Sequence, residues 1–331
     1  MAGVIERFPD QIRFALADPD LPRLPRAGFA RAVVLGMGGS ALPADVLRTA
    51  FAAGLRAPLE VSRDYRAPQR LDADTIVVAC SFSGNTEETL AAVSEAAASP
   101  ATIVALSSGG KLRDLALERG WPFVRVPAER ESRGFQPRCA VGYVMTYLAR
   151  LLAGCGVLED ASDALASVVG WLEKLETRPA AEAVAADIGQ RIPIFYCDQP
   201  LRNAVARITK IKVNENAKRP AFYNSFPETS HNELVGFERV LGDLACIYLR
   251  DPASHPRVQL QLRVVERVLQ EKYGDRVLFR TWDIPGSTTL EKVLAALQFG
   301  DWLSYSLALA DGLDPTPVAI LDRFKSELLS D

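Results

Sequence analysis

Histidine is scarce in this chain, with only His231 and His255 among 331 residues. The five cysteines, Cys80, Cys139, Cys155, Cys197 and Cys246, form no CxxC pair, and there is no HExxH. A dedicated zinc or iron site therefore has few ligands to draw on, and no metal is expected. The cysteines are odd in number, widely separated and set in apolar runs such as VVAC and LACIYL, so they read as buried reduced thiols. No sign of charge dominates: 38 basic and 41 acidic residues leave no global field to favour nucleic acid or an anionic membrane. No uninterrupted apolar stretch reaches bilayer length. The opening MAGVIERFPDQIRFALADPD mixes acids, bases and proline where a secretory signal would run from basic to apolar. The expectation is a cytoplasmic protein with no nucleic-acid or membrane partner.

What is present is core. At 48% hydrophobic, 331 residues are enough for two domains of ordinary size. In the first half, short β-branched runs (AVVL at 32–35, TIVVAC at 75–80, TIVAL at 102–106, PFVRV at 122–126) alternate with helical patterns. Continuous apolar strands are expected where helices cover both faces of a parallel sheet. An apolar helix at 142–152 and an Ala- and Glu-rich helical segment broken near Pro179 follow. The rhythm then restarts with IPIFYC at 192–197, LACIYL at 244–249 and VLFRTW at 277–282, with helices from Leu201, over 258–273 and over 290–310. In the 258–273 helix, Val258, Leu262, Val265 and Leu269 share one face. A last amphipathic helix spans 318–329. The fold class is thus α/β, with two doubly wound parallel-sheet domains at 1–155 and 191–331, a helical connection at 156–190 and a C-terminal helix.

Four segments carry chemistry. GMGGSALPADVL (36–47) leaves a strand and enters a helix; Gly38 and Gly39 let backbone approach a ligand, and the helix amino terminus presents free N–H groups to an anion. Its Gly36-x-Gly38-x-x-Ala41 spacing also satisfies a relaxed dinucleotide fingerprint, so a nicotinamide or flavin site stays open. CSFSGNTEETL (80–90) puts the hydroxyls of Ser81, Ser83 and Thr86 around Gly84 at a helix start, where the dipole favours phosphate; the bland alternative is an ordinary N-cap. RGFQPRCAVGY (133–143) holds Arg138 in a turn, where a guanidinium can stabilise an enediolate or simply start a helix on the surface. The densest cluster, 212–237, carries Asn214, Glu215, Asn216, Lys218, Glu228, His231, Asn232 and Glu233 beside Phe222, Tyr223 and Phe226, a costly composition for an ordinary core loop. Glu87 and Glu88 are adjacent on a helix and point apart, so they do not make a carboxylate pair.

Moving a carbonyl between C1 and C2 of a sugar needs a base to carry one proton, an electrophile for the enediolate and a group that opens the ring. It also needs a remote anchor such as a phosphate. GMGGS, SFSGNTEETL, PRCA, NENAK and SHNE, in this order, resemble the sugar isomerase (SIS) domain family, in particular its bifunctional phosphoglucose/phosphomannose isomerase branch. The resemblance runs from about residue 30 to the terminal helix and implies flavodoxin-like SIS domains acting on a hexose 6-phosphate with no cofactor and no metal. It implies that Gly39, Ser40, Ser81, Ser83 and Thr86 hold the sugar and its phosphate, that Arg138 stabilises the enediolate, and that Glu215 is the base. It further implies that His231 opens the ring from across a homodimer interface and that Lys325, in the terminal helix, assists it. Phe82 departs from the tyrosine frequent in the family. A non-catalytic SIS-type sugar-phosphate regulator is the alternative; it would need the two loops but not Glu215, Arg138 and His231 together.

Overall fold

A computed structural model describes residues 1–132 and 134–328. The chain divides into two compact units. The N-terminal unit comprises Glu6–Leu175 with Thr288–Val293; the C-terminal unit comprises Met1–Ile5, Glu176–Ser287 and the chain from Leu294.

The N-terminal unit holds a parallel sheet of β1 (Arg31–Leu35), β2 (Leu59–Ser62), β3 (Thr75–Cys80), β4 (Thr102–Ser107) and β5 (Phe123–Arg125), in the order β2-β1-β3-β4-β5. All six residues of β3 are buried, as a central strand covered on both faces requires. Val33, Val77 and Ala105 from three strands pack with Ala92 and Val93 of the helix Glu87–Ala96 and with Leu112 and Ala116 of the helix Gly110–Arg119. Each fully buried Val or Leu of this kind contributes about 1.5–3 kcal/mol. The edge strand β2, LEVS, carries no strand signal in the sequence: only Leu59 is buried, and four mixed residues make no apolar run. The order reverses between β1 and β3, which places a crevice at the carboxyl ends of those two strands.

The C-terminal unit repeats the plan with four parallel strands, β6 (Ile192–Asp198), β7 (Phe222–Phe226), β8 (Leu244–Arg250) and β9 (Val277–Asp283), ordered β7-β6-β8-β9. The edge strand β7 carries no strand signal in the sequence, because FYNSF has neither alternation nor an apolar run. The helix Pro256–Tyr273 buries Val265 and Leu269, with Val258 and Leu262 partly covered on the same face. The helix expected from Leu201 starts later, at Ala206, after a 3-10 turn Gln199–Leu201.

Ser162–Leu172 and Arg178–Ile188 form two helices, with Pro179 in the first turn of the second, where its missing N–H costs nothing. The terminal helix runs Ala319–Leu328 and buries none of its residues; Leu329 lies outside the described residues. The helix Thr289–Ala310, at 22 residues, has the length and mean hydropathy of a membrane span. Yet 78% of its most apolar window is buried within the protein, and it carries Glu291, Lys292 and Asp301, so it is a core helix.

Candidate active site

Both glycine- and hydroxyl-bearing loops leave the sheet at the β1/β3 reversal. The first enters the helix Gly38–Ala50 and the second the helix Glu87–Ala96. Ser40 Oγ, 5% exposed, accepts a hydrogen bond from the Phe82 N–H at 2.9 Å, joining the loops directly. Ser81 is fully buried, and its Oγ lies 2.8 Å from Thr86 Oγ1. Thr86 occupies the N-cap position, but its side chain makes no cap hydrogen bond, so its hydroxyl belongs to the loop and not to the helix end. Ser83 is exposed, and its Oγ accepts from Asn85 N–H at 3.2 Å. Burial pushes the preceding Cys80 thiol up to about 12, which removes it as a nucleophile.

A third loop, residues 107–111, joins the second. Ser108 Oγ donates to the Phe82 carbonyl at 2.7 Å and Lys111 N–H to Asn85 Oδ1 at 3.1 Å. Gly84, at φ 71°, lies so close to Gly109 that a β-carbon on it would stand 1.8 Å from the Gly109 carbonyl oxygen. The SSGG run was the available signal, and it lacked only a partner to read it against.

Arg138 sits in the 3-10 turn Pro137–Cys139 and is 1% exposed, so it is no surface helix start. Its Nη1 donates to Gln136 Oε1 at 3.3 Å. The turn packs on the first loop at Gly39, where a β-carbon would meet Arg138 N at 2.5 Å. Gln11, itself 1% exposed, clamps the turn from the other side: its Nε2 donates to the Cys139 carbonyl at 2.9 Å and its Oε1 accepts from Gly142 N–H at 3.2 Å. Phe82 and Phe135 approach with ring centroids 5.7 Å apart, a further link between the second loop and this segment. Arg133, at its start, lies outside the described residues. Gly39, Ser40, Ser81, Thr86 and Arg138 are thereby brought into one connected arrangement.

Glu215, Lys325 and His231 stand on three elements of the C-terminal unit. Glu215 is half-buried in a π-helical turn, Val213–Ala217, that continues the helix Ala206–Lys212 and ends at Lys218 in the left-handed conformation. Single π turns recur at functional sites because the extra residue re-aims side chains. The flanks are anchored: Lys212, 1% exposed, pairs with Asp301 at 2.6 Å, and Asn216 Nδ2 donates to Ser304 Oγ at 2.9 Å. Breaking such a buried pair on one side costs about 3–5 kcal/mol. His231 ends the 3-10 turn Glu228–His231 and is exposed; Lys325 is exposed on the terminal helix. Other members of the polar cluster serve the fold. Glu233 accepts from Tyr196 Oη and Asn224 Nδ2, and Asn214 Nδ2 donates to the Arg219 carbonyl at 2.7 Å. His255, the second histidine, accepts from Arg257 N–H at a helix start. Among the described residues no three His, Cys, Asp or Glu side chains cluster as a metal-binding set.

Comparison with known proteins identifies relatives along most of the chain. Residues 177–328 match the bacterial phospho-glucose isomerase C-terminal SIS domain, and residues 28–115 match the SIS domain. The chain is 32% identical over 312 residues to a bifunctional phosphoglucose/phosphomannose isomerase of Caldicellulosiruptor bescii, covering 90% of this chain and 89% of that one. It is also 35% identical over 241 residues to a D-glucosamine-6-phosphate 4-epimerase of Sulfolobus acidocaldarius, covering 71% and 72%. In fold it is similar to the crystal structure of a putative phosphosugar isomerase from Clostridium difficile, with a TM-score of 0.71 at 13% identity over 96% and 94% of the two chains. On these matches, and on loops meeting at the β1/β3 reversal, the chain belongs to the SIS-domain family, in its bifunctional phosphoglucose/phosphomannose isomerase branch, and is an enzyme of that family.

Proposed function

We propose that the protein is a metal-independent aldose-ketose isomerase that interconverts fructose 6-phosphate with glucose 6-phosphate, mannose 6-phosphate or both, through a cis-enediolate. The observation that carries this reading is the junction of the two loops with a buried arginine: Ser40 bonds the Phe82 N–H while Gly39 abuts Arg138. A phosphate held by N–H groups and hydroxyls at the loops anchors the substrate, and its binding energy orients the reacting carbons.

In this mechanism the Glu215 carboxylate removes the C2 proton of the open-chain aldose, the electron pair moves onto the carbonyl oxygen, and the guanidinium of Arg138 stabilises the enediolate charge. Return of the same proton to C1, with the O2 hydroxyl proton passing to O1 as the C2 carbonyl forms, yields the ketose. His231 and Lys325 move the proton that opens the ring; exposure of His231 on its own protomer supports its delivery across a homodimer interface. Charge stabilisation falls to Arg138, so the mechanism needs no metal, and the site is cytoplasmic in this reading.

The similarity to a D-glucosamine-6-phosphate 4-epimerase supplies the competing reaction. The test is a coupled assay in which purified protein is offered fructose 6-phosphate with separate detection of each aldose, alongside glucosamine 6-phosphate, with and without exhaustive chelation. Aldose formation that survives chelation is expected. Turnover of glucosamine 6-phosphate alone, activity restored only by zinc, or tight NADH binding without isomerisation would each replace this reading.

A further inference from the structure

We infer that Lys212, Asp301 and Ser304 are positioning residues for Glu215, holding the proton-transferring carboxylate through a ladder that ties the helix Ala206–Lys212 and its π turn to the helix Thr289–Ala310. The inference rests on the reading of Glu215 as the base. Three successive rungs make the ladder. At the first, the helices approach so closely that a β-carbon on Gly300 would stand 3.2 Å from Thr209 Oγ1 and 3.4 Å from Thr209 Cα. At the second, Lys212 Nζ meets Asp301 Oδ1 at 2.6 Å. At the third, Asn216 Nδ2 donates to Ser304 Oγ at 2.9 Å.

Lys212 and Asn216 bracket Glu215 in sequence, and Asp301 and Ser304, three apart, share a face of the partner helix. Lys212 is 1% exposed, Asn216 and Ser304 fully buried, whereas Glu215 is only half-buried. Glu215 is therefore carried on a turn pinned on both sides. Stability alone does not account for these residues, because a buried ion pair between helices is commonly matched or bettered by apolar side chains of similar volume. What polar rungs add is a single register, and the π turn they fasten is a conformation a slack helix would not keep.

The experiment uses the full-length enzyme, with the double variant Lys212→Met/Asp301→Leu, which replaces the pair by apolar groups, and the milder Ser304→Ala. For each, kcat and KM for fructose 6-phosphate are measured, together with deuterium incorporated at C2 per turnover in heavy water. The double variant is expected to lose kcat by about 100-fold, the effect of a misplacement near 1 Å. KM should stay within about threefold, since the phosphate anchor is untouched. Ser304→Ala should show the same pattern more weakly, and in both variants solvent deuterium per turnover should rise, because a misaimed carboxylate holds its proton long enough to exchange it. Wild-type kcat and deuterium content in Ser304→Ala, or in a folded double variant, would overturn the positioning role alone. Absence of isomerisation in the wild-type enzyme would instead overturn the assignment of the base.

Discussion

The backbone of Arg138 occupies the space a side chain on Gly39 would need: a β-carbon there would stand 2.5 Å from Arg138 N and 2.8 Å from Arg138 Cα. Both are backbone atoms and cannot swing aside. Gly39 thus serves first as a seat for the arginine turn, and the glycine-rich loop and the guanidinium form one unit of structure. Gln11 completes the seat from a helix 128 residues away in sequence.

Gly39→Ala is therefore expected to displace the Arg138 turn. Overpacking of this kind costs about 1–3 kcal/mol of stability. Turnover should fall by more than about tenfold, since the guanidinium moves with the turn. A variant with wild-type melting temperature and kcat would show that the turn can yield, and the seat would lose its importance.

Glu215→Gln keeps the size of the side chain and its place in the π turn but removes the proton acceptor. Isomerisation should drop by at least about 10³-fold with sugar-phosphate affinity within a few-fold of wild type, as for loss of a group used only in the transition state. Calorimetric titration with fructose 6-phosphate separates the two quantities. Undiminished turnover eliminates the base.

The hydroxyls of the second loop divide by burial. Ser83 is exposed, whereas Ser81 is buried against Thr86. Ser83→Ala should raise KM by about three- to tenfold through one lost hydrogen bond to phosphate, leaving melting temperature unchanged. Ser81→Ala should lower the melting temperature as well, because Thr86 loses a buried partner. Equal effects on both quantities from the two variants would refute this division.

Acid stability should depend on Asp311. Hydrogen bonds from the Arg219 guanidinium hold its carboxyl below the usual carboxylate range; Gln190 adds to this. The folded value lies below the unfolded one, so the stabilisation is complete above about pH 4, the unfolded value, and is lost as pH falls through the folded value. Thermal melts from pH 7 downward should show a steeper decline below about pH 4 in the wild type than in Asp311→Asn, which starts less stable. Parallel curves would remove Asp311 from the acid transition.

The sequence alone determined the alternation of buried strands and helices, hence the parallel α/β class, and it marked the loops whose glycines and hydroxyls suit an anion. These features are local: β3 is TIVVAC because a central strand must be apolar on both faces, and that is visible in six consecutive letters. Edge strands β2 and β7 were illegible because one exposed side frees them from any pattern. Only tertiary structure decided that Gly39 carries Arg138, that Gln11 grips the same turn, and that Lys212 and Asn216 fasten the Glu215 turn to Asp301 and Ser304. Such pairings join residues 88 or more positions apart at the third rung of that ladder and 128 at the Gln11 clamp, where neither propensity nor periodicity reaches. They exist because each buried polar group must find a partner somewhere in the folded chain, and the packing of whole elements chooses which.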